Sequence, residues 1–281
     1  MMNENNIQPD RNLDEIEFTI FDTETTGLEP QSGDRIIEIA AARFKNKEKI
    51  ADFHTLVNPN RPISQEAFQV NRISEDMLKG APQIEAVLPQ FLNFIQGSLV
   101  CSYNAPFDLE FLLNELKIAG GSLSDDIVFI DILKMARRML PGLQRYALIS
   151  VAEKLGIKAK QEHRASSDVE LAWQVFEKLK DSLNLKGVFD VNNFSSLFSI
   201  NQKVLDNMNS QKIAEIQEAI SLGVRLKIKY LSSSNAEVSE REVMPKEIRQ
   251  EKNNSYLVGF CCLRNEERTF RIDGILRLQI V

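Results

Sequence analysis

The order of hydrophobic patterns along the chain most strongly limits what it can fold into. Short polar turns separate three apolar runs near the start, which we predict as strands: 17–22, 36–44 and 51–57. Four later segments have the apolar spacing of amphipathic helices: 84–95, 105–119, 148–155 and 164–180. Two further apolar runs lie between them and predict strands: 98–103 and 127–132. Strands first in hairpins and then alternating with helices predict an α/β fold, a mixed sheet flanked by helices.

The hydrophobic pattern changes after Gly223, where apolar and polar residues begin to alternate. Alternation with a period of two is typical of strands. We predict one strand at Leu226–Tyr230 and four more from later apolar runs: 240–244, 255–263, 268–273 and 275–281. Several short strands in succession predict a small β-barrel or a curled sheet.

The chain therefore divides into two predicted domains, 14–182 and 210–281. Residues 183–209 are rich in Asn and Ser and are interpreted as a linker. Residues 1–13 are interpreted as a disordered leader. Their polar start lacks the basic and apolar pattern of a secretory signal.

Composition narrows the class of protein. The three cysteines cannot form a complete disulfide framework, and two histidines make a zinc site improbable. No apolar run reaches the roughly 18 residues that a transmembrane helix needs. These features favour a cytoplasmic protein without a membrane partner, and they leave the oligomeric state open. The acidic excess lies before residue 210, with 30 Asp and Glu against 22 Lys and Arg, while the remainder has 10 against 12. An acidic domain can bind polyanions when metal ions lie between its carboxylates and the phosphates.

Four acidic residues lie at the ends of predicted buried elements. Asp22 and Glu24 close the first strand, and their i, i+2 spacing points both carboxylates to the same face. Asp108 and Asp168 lie on the apolar faces of their predicted helices, where burial disfavours a charge unless a cation compensates. His163 precedes the second of these helices. Each residue alone also has a structural explanation: a polar strand end, compensation of a helix dipole, or a surface histidine.

Together these residues predict a metal site. Oxygen ligands alone suit Mg²⁺ or Mn²⁺ rather than zinc. Two such ions about 4 Å apart can hold the attacking and leaving oxygens of a phosphoryl displacement. A histidine, with an ordinary pKa near 6.5, suits removal of a proton from the attacking water.

Three segments resemble the exonuclease motifs of the DEDDh family, which includes the proofreading subunit of bacterial replicative DNA polymerase. They are Asp22-Thr23-Glu24-Thr25-Thr26-Gly27, Asn104-Ala105-Pro106-Phe107-Asp108 and His163-Arg164-Ala165-Ser166-Ser167-Asp168. The resemblance covers about residues 15–180 and implies a ribonuclease-H-like fold that removes nucleotides from 3′ ends with two divalent ions. It implies that four residues hold the metals and are catalytic, namely Asp22, Glu24, Asp108 and Asp168. It also implies that His163 orients or deprotonates the water.

Six residues within the first two motifs are candidate contacts to a 3′-terminal nucleotide: Thr25, Thr26, Gly27, Leu28, Asn104 and Phe107. The Thr-Thr-Gly turn is expected to expose backbone donors beside the metals. Leu28 is expected either to wedge against the terminal base or to pack in the core. Phe107 fits the core better than a stacking platform, and Asn104 either positions the nucleotide or caps its helix.

The last 70 residues resemble the WYL domain of bacterial regulators. The matching segments are 216–220, 239–245, 255–260 and 268–275. The resemblance implies a small Sm-like β-barrel that senses a small-molecule ligand or binds nucleic acid, although Ser255 stands where the tryptophan of the motif would be. Four arginines are candidate binding residues: Arg241, Arg264, Arg268 and Arg271. Two of them flank Phe270, an arrangement that suits phosphates and bases. Neighbouring acids such as Glu266 and Asp273 offer the alternative of a charge-balanced surface.

The sequence thus predicts a metal-dependent 3′–5′ exonuclease acting on DNA, with single-stranded 3′ ends as preferred partners and a regulatory C-terminal module. Two alternatives stay open. One is an exoribonuclease, because nothing in the sequence is recognised as reading a 2′-hydroxyl. The other is a regulator that binds nucleic acid without cleaving it, which the intact set of acidic residues argues against.

Overall fold

The computed structural model describes residues 11–158, 164–252 and 254–281. The predicted mixed sheet of the first domain is confirmed. Its strands are β1 (Phe18–Thr25), β2 (Ile36–Lys45), β3 (Glu48–Leu56), β4 (Leu99–Ser102) and β5 (Phe129–Asp131). Their order is β3-β2-β1-β4-β5, antiparallel from β3 to β1 and parallel from β1 to β5. Central β1 is buried, so side chains at its carboxyl end lie where the flanking helices converge.

Helices in the described ranges pack on both faces of this sheet and on a second, C-terminal sheet. They are α1 (Gln65–Asn71), α2 (Glu75–Leu78), α3 (Ile84–Ile95), α4 (Ala105–Ile118), α5 (Ile132–Met139), α6 (Leu148–Lys154), α7 (Ala165–Leu185), α8 (Val191–Phe198) and α9 (Gln202–Leu222). One apolar core places α3 and α4 on one face, and a second core places α5 to α8 on the other. No helix in the described ranges combines the length and hydrophobicity that crossing a bilayer requires.

The segment 183–209, predicted as a linker, is mostly helical. It contains the end of α7, all of α8 and the start of α9. Phe194, Leu197 and Phe198 share one face of α8 and are fully buried in the core of the first domain. Asp190 caps α8 by accepting a hydrogen bond from the Asn193 amide at 2.8 Å. Asp190 thus caps the helix, and Ser195 and Ser196 are buried within it, an arrangement that the Asn and Ser content alone did not distinguish from a loop.

The C-terminal end of the predicted disordered leader, 1–13, is part of the packed structure. Residues 1–10 lie outside the described residues, but Leu13 is fully buried and donates its backbone N–H to the Phe189 carbonyl at 2.8 Å. The predicted domain boundaries themselves stay predictions.

The second sheet is antiparallel throughout. It consists of β6 (Leu226–Leu231), β7 (Val238–Glu251), β8 (Asn254–Cys261), β9 (Glu266–Arg271) and β10 (Ile275–Ile280). Their order is β10-β6-β7-β8-β9, and the described residues form no ladder between β9 and β10. The sheet is therefore open, and the predicted Sm-like barrel is not confirmed. Ile216 and Ala219 of α9 are buried against this sheet, so a helix covers apolar residues that barrel closure would otherwise enclose.

The two sheets belong to one packed structure. Leu231 and Leu276 of the second sheet lie in the same buried cluster as β1, α5 and α7. Arg138 of α5 donates a hydrogen bond to the Leu231 carbonyl at 3.0 Å. A side chain at Gly274 would place its Cβ 2.6 Å from Arg138 Nη2, so the close approach requires glycine there.

Candidate active site

The carboxyl end of β1 carries the first two acidic residues. Glu24 lies opposite Glu38 in the β1–β2 ladder, and the register shifts between Glu24 and Thr25. Bulges of this kind redirect side chains at the end of a strand. Ligand atoms of Asp22, Glu24 and Asp168 all lie within 4.8 Å of one another. The structure therefore brings together three of the four acidic residues that the sequence proposed as metal ligands.

The fourth acidic residue, Asp108, lies beside these three, and both of its carboxylate oxygens accept hydrogen bonds. It is 2% exposed in the first turn of α4. Its Oδ1 accepts hydrogen bonds from the Thr23 backbone N–H at 3.0 Å and from the Thr23 hydroxyl at 2.7 Å. The Ser102 hydroxyl, at the end of β4, donates to its Oδ2. Asp108 thus lies between two strand ends, close enough for its charge to act on Asp22.

Burial and mutual repulsion make these carboxylates unusually basic. Burial, followed by the charges of Asp108, Glu24 and Asp168, raises the pKa of Asp22 well above its ordinary value. The same causes raise the pKa of Glu24 to about 8, with Asp168 as the strongest charged neighbour. Burial raises the pKa of Asp108 to about 6, against the effect of its hydrogen bonds from Ser102 and Thr23. A cluster of acids that resists ionisation is one that a cation would stabilise.

These residues fit divalent metal ions. The donor set consists of carboxylate oxygens, which suit Mg²⁺ or Mn²⁺. Asp22, Glu24 and Asp168 present their oxygens to one point, and a cation there would remove the repulsion that raises their pKa values. Both oxygens of Asp108 accept hydrogen bonds from Thr23 and Ser102, so its role as a fourth ligand stays a prediction.

One residue of the site was missed in the sequence, the fully buried Glu38 of β2. Its carboxylate accepts hydrogen bonds from His54 Nε2 at 2.8 Å, from Arg164 Nη2 at 2.7 Å and from the Ala165 backbone N–H at 3.1 Å. Burial acts to raise the pKa of Glu38, but these hydrogen bonds outweigh it and hold the pKa below its ordinary value. Glu38 thereby fixes the first turn of α7, which carries Asp168, beside the end of β1.

His163, the predicted base, lies outside the described residues, and its role stays a prediction. Arg164 directly follows it, and Arg164 is held by both oxygens of Glu38.

A cavity of about 490 Å³ adjoins the carboxylates and is lined by four of the candidate nucleotide contacts: Thr25, Gly27, Leu28 and Phe107. Leu28 is 78% exposed, so it is not part of the core. Phe107 both packs against Phe111, with ring centroids 4.9 Å apart, and lines the cavity. A Cβ at Gly27 would lie 2.2 Å from Asp34 Oδ2, which explains the glycine.

The other two candidate contacts, Thr26 and Asn104, are not among the residues that line this cavity. Thr26 is buried, and its hydroxyl donates to Asp34 at 3.0 Å. Asn104 precedes the first residue of α4 and has a left-handed backbone, with φ of 70°. Its side chain makes no capping hydrogen bond in the described structure. The capping alternative for Asn104 is therefore not observed.

Two family profiles match the chain. Residues 19–176 match the profile described as "Exonuclease", and residues 211–280 match the profile described as "WYL domain". The chain belongs to the exonuclease family. The acidic site described above lies wholly within the exonuclease match.

Relatives of this chain include proteins named as DNA polymerase III or as its epsilon subunit. The chain is 40% identical to the DNA polymerase III subunit epsilon of Treponema pallidum over 164 residues, which covers 57% of this chain and 75% of that protein. It is 32% identical to the PolC-type DNA polymerase III of Caldanaerobacter subterraneus over 256 residues, or 90% of this chain and 18% of that protein. The exonuclease chain thus spans less than a fifth of the length of such a PolC-type relative.

Solved exonuclease structures share the fold. Exonuclease X, solved in complex with 5′ overhanging duplex DNA, superimposes with a TM-score of 0.50 and 26% identity, over 64% of this chain and 98% of that one. Escherichia coli Exonuclease I, solved in complex with a dA16 oligonucleotide, superimposes with a TM-score of 0.55 over 88% of this chain and 55% of that one. At 16% identity, the second comparison shows the fold alone.

The arginines of the WYL domain do not form one cluster of free cations. Arg264 and Arg268 are exposed, and Arg268 pairs with Glu266 at 2.8 Å. Arg241 donates to the Ser239 hydroxyl at 3.1 Å, whereas Arg271 pairs with Asp273 at 2.5 Å. Phe270 is 4% exposed and packs edge-on against Tyr230, and the binding role of the four arginines stays a prediction.

Metal binding by this exonuclease should depend on pH. Without metal, the raised pKa of Glu24 means that the folded state holds a proton that the unfolded chain releases above its ordinary pKa of 4.5. Stability of the metal-free protein should therefore fall as pH rises from about 5 to 8. Mn²⁺ competes with that proton, so its stabilising effect should grow over the same range. Thermal unfolding at several pH values, with EDTA or with Mn²⁺, measures both trends. A metal-free stability that rises from pH 5 to 8 would contradict this account.

Proposed function

We propose that the chain hydrolyses phosphodiester bonds from the 3′ ends of DNA, preferably single-stranded. The observation that carries this proposal is the convergence of Asp22, Glu24 and Asp168 within 4.8 Å, at the edge of a cavity large enough for one nucleotide. Family membership and the names of the polymerase III relatives support the same reaction and favour DNA.

Each residue has a defined task in this proposal. Asp22, Glu24, Asp108 and Asp168 would hold two divalent ions, which when bound supply positive charge to the phosphate undergoing displacement. The exposed Leu28 and the ring of Phe107 would contact the terminal base in the adjoining cavity. His163 would take the proton of the attacking water. An unpaired terminus fits the cavity best, because a base contacting Leu28 cannot remain stacked and paired in a duplex.

Matched oligonucleotides test the proposal. A 5′-labelled DNA strand, the same strand as RNA, and the corresponding duplexes are incubated with Mn²⁺ or Mg²⁺, and the products are resolved by length. We expect stepwise shortening from the 3′ end that is fastest on single-stranded DNA and absent with Asp22→Asn. Faster shortening of RNA would make the chain an exoribonuclease. The absence of shortening on every substrate would leave a binding protein without catalysis.

Glu38 is expected to support this reaction as a positioning residue. In Glu38→Ala the first turn of α7 loses its anchor, so Asp168 moves relative to β1. A misplacement of about 1 Å can cost roughly a hundredfold in rate. We expect kcat on single-stranded DNA to fall by about that factor with a smaller change in KM.

Glu38→Gln keeps the size of the side chain and part of its hydrogen bonding. This variant should therefore restore much of the rate. Glu48→Gln, on exposed β3, is the matched control and should retain full activity. If Glu38→Gln loses as much rate as Glu38→Ala, the positioning role of Glu38 is refuted.

A further inference from the structure

A second cavity, of about 310 Å³, lies where the WYL sheet meets α5 and α9. Its wall contains two cationic residues, Lys134 of α5 and Arg271 of β9, together with several amide and hydroxyl side chains. Leu205 and Ile213 of α9 provide an apolar part of the wall. The volume is near the lower end of the roughly 300–1,000 Å³ found for small-molecule sites. It suits a ligand about the size of one nucleotide.

Cationic side chains outnumber carboxylates around Asp273, which lies on the cavity wall. Four cationic side chains act on the single carboxylate of Asp273: Lys134, Arg138, Lys212 and Arg271. Arg271 Nη2 lies 2.5 Å from Asp273, and Arg138 Nη1 lies 3.5 Å from it. Asp273 therefore pairs with both arginines. Neither Lys134 nor Lys212 has a carboxylate partner of its own among these five residues.

Other acids nearby are already engaged. Asp131 caps α5 by accepting the Leu133 N–H at 3.0 Å, and Asp190 caps α8. Asp206, on the cavity wall, accepts a hydrogen bond from Gln202 at 2.8 Å. These carboxylates reduce the positive potential, but each has a local partner that does not belong to the cationic group.

Several of the cationic atoms lack a hydrogen-bond acceptor. Within the described ranges, Lys212 Nζ, Arg138 Nε and Arg271 Nε are buried without a hydrogen-bond partner. Burial lowers the pKa of Lys134 and of Lys212 to about 8, and the charge of Asp273 offsets this effect only in part. The other donors of this group have acceptors: Lys134 Nζ donates to the Ser199 carbonyl at 3.1 Å, and Arg271 Nη2 donates to Asn254 at 3.0 Å. The excess of buried positive charge is nevertheless costly, and an anion bound beside Lys134 and Arg271 would reduce that cost.

We propose that this cavity binds a nucleoside monophosphate, with the phosphate beside Lys134 and Arg271. The planar guanidinium of arginine matches phosphate oxygens, and lysine adds a point charge. Gln217 and Gln250 on the wall offer amides of the kind that pair with base edges. The choice of a nucleoside monophosphate rests on the proposed function, because a 3′–5′ exonuclease releases such molecules. The site would then bind the product of the reaction away from the carboxylates.

Binding is tested without catalysis. The full-length Asp22→Asn variant in EDTA is titrated by calorimetry with dTMP, with thymidine and with inorganic phosphate. We expect dTMP to bind, thymidine to bind at least about tenfold more weakly, and phosphate alone to bind more weakly than dTMP. Equal affinity for dTMP and thymidine would overturn phosphate recognition. Phosphate as tight as dTMP would overturn the assignment of a nucleotide, and no binding of dTMP would overturn the site.

Variants locate the binding. Lys134→Met and Arg271→Met keep most of the side-chain length, and each should weaken dTMP by about tenfold or more. Lys203→Met is the matched control, because Lys203 is exposed on α9 and pairs with Asp125. Thermal unfolding confirms that each variant is folded. Equal dTMP affinity in Lys134→Met, Arg271→Met and Lys203→Met would refute the proposed location. If dTMP binds here but no DNA or RNA is shortened by the wild-type chain, the proposed function fails while the site stands.

Discussion

Replacing Asp22 by Asn is expected to abolish nucleotide release while making the metal-free protein more stable. Asp22 is partly buried beside three other acids, and burial together with their charges raises its pKa. Loss of a metal ligand should remove several kcal/mol of transition-state stabilisation, and about 4 kcal/mol corresponds to roughly a thousandfold in rate. The same change removes one buried charge from a repelling cluster. The melting temperature in EDTA at pH 8 should therefore rise, by roughly 2–4 °C for each kcal/mol gained.

The two readouts together separate a catalytic role from a structural one. Rates are measured on single-stranded DNA with saturating Mn²⁺, and melting is followed by circular dichroism. Asp126→Asn, an exposed acid before β5, is the matched control and should change neither quantity. A variant Asp22→Asn that keeps wild-type rates would contradict the metal-ligand role. One that is inactive but less stable in EDTA would contradict the repulsion between the buried acids.

Phe194→Ala is expected to destabilise the whole protein by about 3–5 kcal/mol, the cost of truncating a buried Phe to Ala. Phe194 is fully buried, and its ring lies 6.3 Å from that of Phe18, 6.1 Å from Phe176 and 5.3 Å from Phe198. A loss of this size is a large part of the 5–15 kcal/mol that stabilises an ordinary domain.

Equilibrium unfolding in urea measures this effect. Phe189→Ala is a matched control from the same segment, since Phe189 is 52% exposed, and it should cost less than about 0.5 kcal/mol. If both substitutions cost the same, α8 does not contribute to the core as described here. If neither has an effect, the segment behaves as the linker that its composition suggested.

Much of the exonuclease domain follows from its sequence, because its strands and longer helices each bury one apolar face. Strand β1, helix α3 and helix α4 lie within a few residues of their predicted positions. Asp108 and Asp168 are buried as the apolar stripes around them predicted. Those two positions were informative because a carboxylate on a buried face requires compensation.

The elements that sequence reasoning missed owe their structure to partners far along the chain. Helix α5 is only eight residues long and carries Arg137 and Arg138 near its end, and Arg138 is buried where it donates a hydrogen bond to Leu231 of the WYL domain. Glu38 lies in an apolar run, and its partners His54 and Arg164 come from other elements. A single acidic residue inside a predicted buried strand was the available signal, since such a charge needs a fixed partner.

The junction between the two sheets determines how the WYL domain can influence catalysis. Leu231 and Leu276 are part of the exonuclease core, and Arg138 is bonded to both Leu231 and Asp273. The WYL domain is thus packed against the exonuclease domain rather than joined to it by a flexible linker. Helix α5 therefore contacts the WYL domain directly, through Arg138. Asp131, at the start of that helix, accepts the Ala105 N–H in the second motif at 3.4 Å, which provides the final link.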